Sequence, residues 1–404
     1  MSKFKYYIEI IGGLYLNIFL FFLSWIVPKK KNVIVLGSSF GERFSGNPRY
    51  FCLYLKALQE KNINPFSDYY WITKNSLVFN ELQQKNIPVL SAWSIKGFWK
   101  ILRAEYLIVE SGPALGKGGH DIAYQRLFMG RFYIVQTWHG SPAKHILLDA
   151  LKERKFRHLY EKVYFILEKL ELQNIKCILA MGEREKKILE RAFNNKNVYI
   201  LGYPKNDILI ETLDAPTINF TLGKYDKIIL YAPTFREHVN EVEAFSELFF
   251  KQLNEEMERR NWIFLVKKHP FDKYLDIPVN LEYVKDVTLE CKDIQILLTR
   301  VDLLISDYSS IYVDFLLTGK QIIFYIYDIA LYQEQSRKFY YDFLENPPGL
   351  VVKSEEELLS KILYYKSTLK IEDNYKKSLE IFHKYRDSNS SKRLKDFLIK
   401  NVKV

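Results

Sequence analysis

Four polar clusters in the chain sit where strongly apolar runs stop: Gln136-Thr137-Trp138-His139-Gly140, Ala232-Pro233-Thr234-Phe235-Arg236, Lys267-Lys268-His269-Pro270 and Asp307-Tyr308-Ser309-Ser310. They supply two imidazoles, a guanidinium, ammonium groups and hydroxyls, the donors that phosphate oxygens accept. Chemistry on a phosphate-bearing substrate is therefore the expectation.

Each cluster admits a functional and a plainer reading. Trp138 would partly dehydrate the His139 imidazole, and Gly140 would let a substrate approach the backbone, which suits a general base near neutral pH. Asp149, ten residues on, would orient it. Alternatively His139 packs beneath Trp138 for structural reasons. His269 stands on a loop stiffened by Pro270 beside two lysines, where it would donate to a diphosphate oxygen or steady a leaving phosphate; a solvated surface histidine is the plainer reading. Thr234 and Arg236 occupy the matching position of another strand, with the arginine free to fork onto phosphate or to pair with Glu237. Asp307 to Ser310 turns a strand into a helix, so Ser309 or Ser310 caps it, with or without an anion at the exposed amides.

Such loops need strands behind them. Val33–Leu36, Tyr106–Val109, Phe132–Val135 and Ile178–Met181 read as a first series, and Ile228–Tyr231, Ile263–Val266, Leu303–Ser306 and Ile322–Tyr325 as a second. Between them lie stretches with helical spacing, Lys144–Leu172 among them. Continuous apolar runs mean strands covered on both faces, hence parallel sheets. The break Gly202–Lys224, with Pro204, Pro216 and Gly223, separates the series. Two doubly wound α/β domains facing a cleft follow, with ligands beyond the carboxyl ends of the strands. The expected boundaries are 1–31 for an apolar helix and its basic flank, 32–210 and 211–370 for the two domains, and 371–404 for a charged helix.

Length agrees, since 404 residues exceed one ordinary core. A net charge of +11 favours anionic partners. Cys52, Cys177 and Cys291 are far apart, so neither a disulfide framework nor a zinc site is expected, and a reducing setting fits. Gly112, Gly116, Gly118 and Gly119 lack the dinucleotide-binding spacing and read as a loop. Tyr6–Val27 is apolar and followed by Pro28-Lys29-Lys30-Lys31. As a helix it would extend about 33 Å, while Glu9, Gly13, Asn17 and Ser24 give it a narrow polar edge. Spanning the bilayer and lying in its interface both leave the lysines on the cytoplasmic side, and the plainer reading is a soluble helix packed on the protein.

Gln-Thr-Trp-His-Gly-Ser-Pro-Ala-Lys at 136–144, Gly-Tyr-Pro-Lys-Asn-Asp at 202–207, Tyr-Ala-Pro-Thr-Phe-Arg at 231–236, Lys-Lys-His-Pro at 267–270 and Ile-Ser-Asp-Tyr-Ser-Ser at 305–310 together resemble the CDP-glycerol glycerophosphotransferases, which build teichoic acids and related capsular polymers. The resemblance runs from about Asn32 to Val352, in order, and includes Gly41–Tyr50 with Asn47-Pro48, and Arg337–Asp342. It implies a GT-B-like fold, peripheral attachment to the cytoplasmic face of the cell membrane, and transfer of glycerol phosphate from CDP-glycerol to a hydroxyl with release of CMP. By motif, His139 becomes the base. Thr234, Arg236, His269, Ser309 and Ser310 hold the donor diphosphate, with Asp314 on the same helix. Trp138, Gly140, Asn47 and Lys268 join the substrate-binding set. No tightly bound cofactor or protein-held metal is implied, Mg²⁺ being admitted only with the donor diphosphate. The partners implied are a CDP-alditol, a lipid-linked saccharide or polymer acceptor and an anionic membrane surface, without nucleic acid.

Ser141 and Ala143 replace the family's more usual Thr and Leu, and no large amino-terminal extension like that of the long polymerases is seen, which leaves acceptor and polymerisation open. Two rivals stand beside this reading: a sugar-nucleotide glycosyltransferase on the same architecture, and a non-enzymatic basic protein of the membrane surface.

Overall fold

The apolar runs become two all-parallel sheets in the computed structural model, which describes residues 19, 21–111, 121, 130–153, 159–211, 225–234, 236, 243–268, 275, 277–278, 280–335, 338–342, 344–365 and 373–401. The first sheet contains β1 (Val33–Leu36), β2 (Asp68–Thr73), β3 (Val89–Ser91), β4 (Tyr106–Val109), β5 (Tyr133–Gln136), β6 (Cys177–Ala180) and β7 (Val198–Ile200), in the order β3-β2-β1-β4-β5-β6-β7. The second contains β8 (Lys227–Tyr231), β9 (Trp262–Val266), β10 (Val284–Asp286), β11 (Leu303–Ser306), β12 (Gln321–Tyr325) and β13 (Leu350–Val352), ordered β10-β9-β8-β11-β12-β13. Every pairing is parallel, for instance Leu36 opposite Ile108 and Ile305 opposite Tyr231.

The sequence reason is direct. Every residue of β1, β4, β6 and β11 is buried, as parallel strands covered on both faces are, and all but Ser306, whose hydroxyl donates to Ala232 O at 2.8 Å, carry predominantly apolar side chains. Removing one such chain to alanine, Ile305 for example, costs about 2–5 kcal/mol. In each sheet the strand order reverses beside its first strand, between β1 and β4 and between β8 and β11. There the loops diverge and leave room at the carboxyl ends.

Contacts divide the chain into two units, each discontinuous in sequence. Unit 1 comprises Met1–His139, Ile146–Lys205 and Asn389–Val404; unit 2 comprises Gly140–His145 and Asn206–Ser388. The expected carboxyl-terminal helix is instead two, Asp373–Phe382 in unit 2 and Ser390–Asn401 in unit 1. The second docks on unit 1 through Arg393 Nε to the Leu201 carbonyl at 2.9 Å and the Phe397 ring 4.5 Å from Tyr199. Gly140–His145 is tied into unit 2 by backbone bonds from His145 N to Lys338 O and from Tyr340 N to Ala143 O, both 2.8 Å. Within the stretch Lys144–Leu172 expected to be helical, the described helices are Leu147–Lys152 and Leu159–Asn174, while Lys144 itself bridges to Phe339.

Residues 1–18 and 20 lie outside the described residues, and with them most of the amino-terminal apolar stretch, including Glu9, Gly13 and Asn17 of its polar edge. Residues 21–26 are helical. Ser24, the last polar-edge residue, is buried: a Cβ on Gly130 would stand 1.9 Å from its hydroxyl. Phe22, Trp25 and Ile26 face outward at 60%, 54% and 75% exposure, so the outer face of this turn is apolar. Among the described residues no helix is long and apolar enough to cross a membrane. The glycine loop 112–119, most of the break up to Lys224, and Glu237 also lie outside them.

Candidate functional site

In unit 1 the loop after β5 is fixed residue by residue. The Thr137 hydroxyl donates to Val109 O at 3.0 Å, and Trp138 N to the Gln136 side chain at 3.0 Å. Asn47, at the start of the helix Gly46–Glu60, donates its Nδ2 to the carbonyls of Thr137 (3.2 Å) and Trp138 (2.9 Å). Its Oδ1 accepts from Lys205 N at 3.2 Å, and Lys205 Nζ donates to His139 O at 3.0 Å. Trp138 adopts φ +54°, a left-handed conformation costing a bulky residue about 1–3 kcal/mol, which persists only where surroundings enforce it. Asn47 and Lys205 provide that enforcement.

The result is an exposed His139 beside a buried Trp138, their rings 4.3 Å apart. Trp138 is wedged in turn edge-on against Phe193 at 5.4 Å. Asn47 was expected among the substrate contacts; fully buried, with its amide spent on the β5 loop and Lys205, it holds the loop instead. Asp149 was expected to orient His139. Among its partners the structure places Arg191 Nε at 2.7 Å and Lys152 Nζ at 3.4 Å from its carboxylate.

The loops after β1 and β4 are locked together beneath this segment. Gly46 has φ +64°, and a Cβ there would lie 1.6 Å from Glu110 Oε1, the oxygen that accepts from Asn47 N at 3.1 Å. Asp121 accepts from the amides of Phe40, Glu110 and Ser111 at 2.7–2.8 Å. Burial pushes its carboxyl above the usual range while those amides hold it back.

In unit 2 the corresponding loops meet at a buried ion cluster. Asp307, following β11, accepts from Thr234 N (2.8 Å) and Thr234 Oγ1 (2.6 Å), and Arg236 Nη1 reaches its other oxygen at 2.8 Å. Arg236 also forks onto Asp328, Nε to Oδ2 at 2.8 Å and Nη2 to Oδ1 at 3.0 Å, while Nη1 donates to Thr234 O. Tyr308 OH donates to Asp328 at 3.1 Å, and the guanidinium lies 4.8 Å from the Tyr332 ring and 5.3 Å from that of Tyr308. Burial works against the arginine's charge, but Asp307 and then Asp328 overcome it and raise its pKa further.

Arg236 was expected to present its fork to phosphate. At 6% exposure, with both edges closed on aspartates, it knits the loops after β8, β11 and β12 together instead. Asp314, also expected near the substrate, is buried and accepts from Asn206 Nδ2 (2.9 Å) and Gln295 Nε2 (3.0 Å). Lys268 places its ammonium on Asp286 (2.9 Å) and Leu275 O (2.8 Å). His269 lies outside the described residues. The two serines keep a closer match to expectation: Ser310 is the N-cap without a side-chain cap bond, and Ser309 Oγ accepts from Ile311 N at 3.4 Å. Gly140 packs on Ser310, whose Oγ would lie 2.8 Å from a Cβ at 140.

Asp328 and Lys205 were not singled out from the sequence. Asp328 follows a strand exactly as the four clusters do, which was the available signal; Lys205 sat unassigned in the Gly-Tyr-Pro-Lys-Asn-Asp motif. The three cysteines are buried, and burial raises each thiol's pKa, Cys291's to about 11.

Residues 19–400 match the family described as CDP-Glycerol:Poly(glycerophosphate) glycerophosphotransferase. A teichoic acid poly(glycerol phosphate) polymerase of Bacillus subtilis (strain 168) is 29% identical over 85% of this chain, which spans only 45% of that protein's length. Its counterpart in Bacillus spizizenii is 27% identical over 93% of each. A solved structure of the wall teichoic acid polymerase TagF superposes with a TM-score of 0.75 at 20% identity, covering 99% of this chain and 97% of that one, so the fold is shared.

Proposed function

This chain belongs to the CDP-glycerol:poly(glycerophosphate) glycerophosphotransferase family, and from that premise we propose that it transfers glycerol phosphate, or a related alditol phosphate, from a CDP-linked donor to a hydroxyl of a lipid-linked acceptor at the cytoplasmic face of the membrane, in teichoic acid or other surface-polymer synthesis. The observation carrying this reading is His139: an exposed imidazole at the carboxyl end of a central strand, on a backbone fixed at three successive carbonyls.

The acceptor hydroxyl gives its proton to the His139 imidazole as its oxygen attacks the phosphorus bearing the alditol. A new oxygen–phosphorus bond forms, the bond from that phosphorus to the bridging oxygen breaks, and CMP leaves with that oxygen and its electron pair. Positioning and charge neutralisation supply most of the acceleration in such transfers. Ser309 and Ser310 hydroxyls, Thr234 and His269 serve the donor phosphates in this reading, while Arg236 works by holding Thr234. Mg²⁺ enters only as a companion of the diphosphate, which an EDTA titration tests. The membrane partner is an anionic surface met by the basic and aromatic amino-terminal segment.

The purified chain, given CDP-glycerol, CDP-ribitol and a synthetic lipid-linked saccharide, is expected to release CMP in step with acceptor elongation. His139→Ala should lower turnover at least about 1000-fold, of the order expected for losing a general base, with donor affinity within about twofold. Release of CDP or UDP from sugar nucleotides instead would replace this reading with glycosyl transfer.

A further inference from the structure

Three consecutive carbonyls, those of Thr137, Trp138 and His139, are each captured by a side chain from elsewhere in unit 1. Two bonds come from one amide group, Asn47 Nδ2, and the third from the Lys205 ammonium. The two captors are themselves joined, Lys205 N to Asn47 Oδ1 at 3.2 Å. Asn47 is fully buried and Lys205 is 6% exposed, an unusual place for an ammonium group unless a specific acceptor holds it. The acceptor includes the backbone of the one exposed residue in the segment, His139. The segment also contains a left-handed tryptophan, which would relax to an ordinary conformation if released, and its ring would carry with it the imidazole that lies 4.3 Å away, tilted by 33°.

We propose that Lys205, together with Asn47, is a positioning residue for the transfer reaction: it touches no reacting atom and acts by fixing the backbone that aims His139. This inference rests on His139 being the base in the reaction proposed above. A long buried ammonium suits the task because a carbonyl pointing into the interior needs a donor that reaches it from a neighbouring loop, and because a charged donor makes the stronger hydrogen bond. Displacement of a reacting group by about 1 Å costs on the order of 100-fold in rate. Loss of the pin is therefore expected to reduce kcat rather than donor affinity.

The experiment uses the full chain with Lys205→Met, Lys205→Arg and Asn47→Ala, and Lys196→Met as a surface control. Hydrogen exchange is followed in a peptide spanning 136–145, alongside kcat and KM for CDP-glycerol. Lys205→Met and Asn47→Ala should each accelerate exchange at 138–140 and lower kcat by about 10- to 100-fold with KM within about twofold. Lys205→Arg should recover part of kcat, and Lys196→Met should change nothing. In a His139→Ala background, Lys205→Met should cost no further activity, since it acts through that residue. Unchanged exchange overturns the pin, and so does an additional loss in the His139→Ala background or a wild-type kcat in Lys205→Met. If one substitution prevents folding, the other carries the same measurements. Should His139→Ala keep the wild-type rate, the reaction assignment fails instead, and exchange alone still decides whether Lys205 fixes the loop.

Discussion

The guanidinium of Arg236 meets the carboxylate of Asp328 edge to edge, with Nε and Nη2 at 2.8 and 3.0 Å from its two oxygens. An arginine expected to fork onto phosphate thus spends its fork inside the protein, and the consequences separate stability from ligand contact.

Asp328→Ala should destabilise unit 2 by about 3–5 kcal/mol, because it strands a buried guanidinium that has lost its bidentate partner. Arg236→Lys should cost a comparable amount, since an ammonium cannot bridge both aspartates. Denaturant unfolding measures this, and calorimetric titration with CDP-glycerol follows the donor. If Arg236 touched the diphosphate directly, Arg236→Lys would weaken the donor while leaving the unfolding midpoint in place.

Gly46→Ala should be among the most damaging small substitutions in unit 1. The left-handed backbone costs alanine about 1–2 kcal/mol, and the methyl group would displace the Glu110 carboxylate from 1.6 Å away. Adding Glu110→Ala should return part of the thermal stability by opening the space. A midpoint no better in the double variant would show that the carboxylate is not the obstacle.

Asp286 links stability to pH. Burial would raise its carboxyl pKa, but hydrogen bonds from the Thr288 hydroxyl and Lys268, with the lysine's charge, leave it below the ordinary value. A depressed folded-state pKa contributes stability above the unfolded value and loses it as pH falls through the folded one. Asp286→Asn should therefore lower stability at neutral pH by under about 1 kcal/mol, as fits a partly exposed ion pair, and make little difference in strong acid. Equal effects at both pH values would contradict the linkage.

The outward apolar turn at 21–26 predicts an interfacial grip. Phe22→Ser with Trp25→Ser and Ile26→Ser should reduce co-sedimentation with phosphatidylglycerol vesicles at least about tenfold, given roughly 1–2 kcal/mol for each large side chain withdrawn. Raising salt should weaken what remains, because Lys30 and Lys31 are exposed beside it. Binding that ignores both changes would place the contact elsewhere.

The central strands could be read from sequence because their residues are apolar on both sides; β1, β4, β11 and β12 lie at or within one residue of where the runs suggested. Edge strands were not legible. β10 is Val-Lys-Asp, with no apolar run, and β13, Leu-Val-Val, is only three residues long with two of them exposed. The loops were located correctly for the same reason as the strands, but what their polar residues touch was not. Arg236, Asp314 and Asn47 have the chemistry of ligand contacts, and their burial among partners as much as 92, 108 and 158 residues distant depends on tertiary packing that no local pattern encodes.

The interleaved course of the chain bears on biosynthesis. Unit 1 receives the helix Ser390–Asn401 from residues that follow all of unit 2 in the chain. On the ribosome, Gly202 and Leu201 must wait for Ser390 and Arg393 to emerge, by which time all of unit 2 has been translated. Unit 1 is therefore completed only after unit 2 has been translated, and a nascent chain stalled shortly before residue 389 would leave unit 1 without the helix that Leu201 and Tyr199 contact.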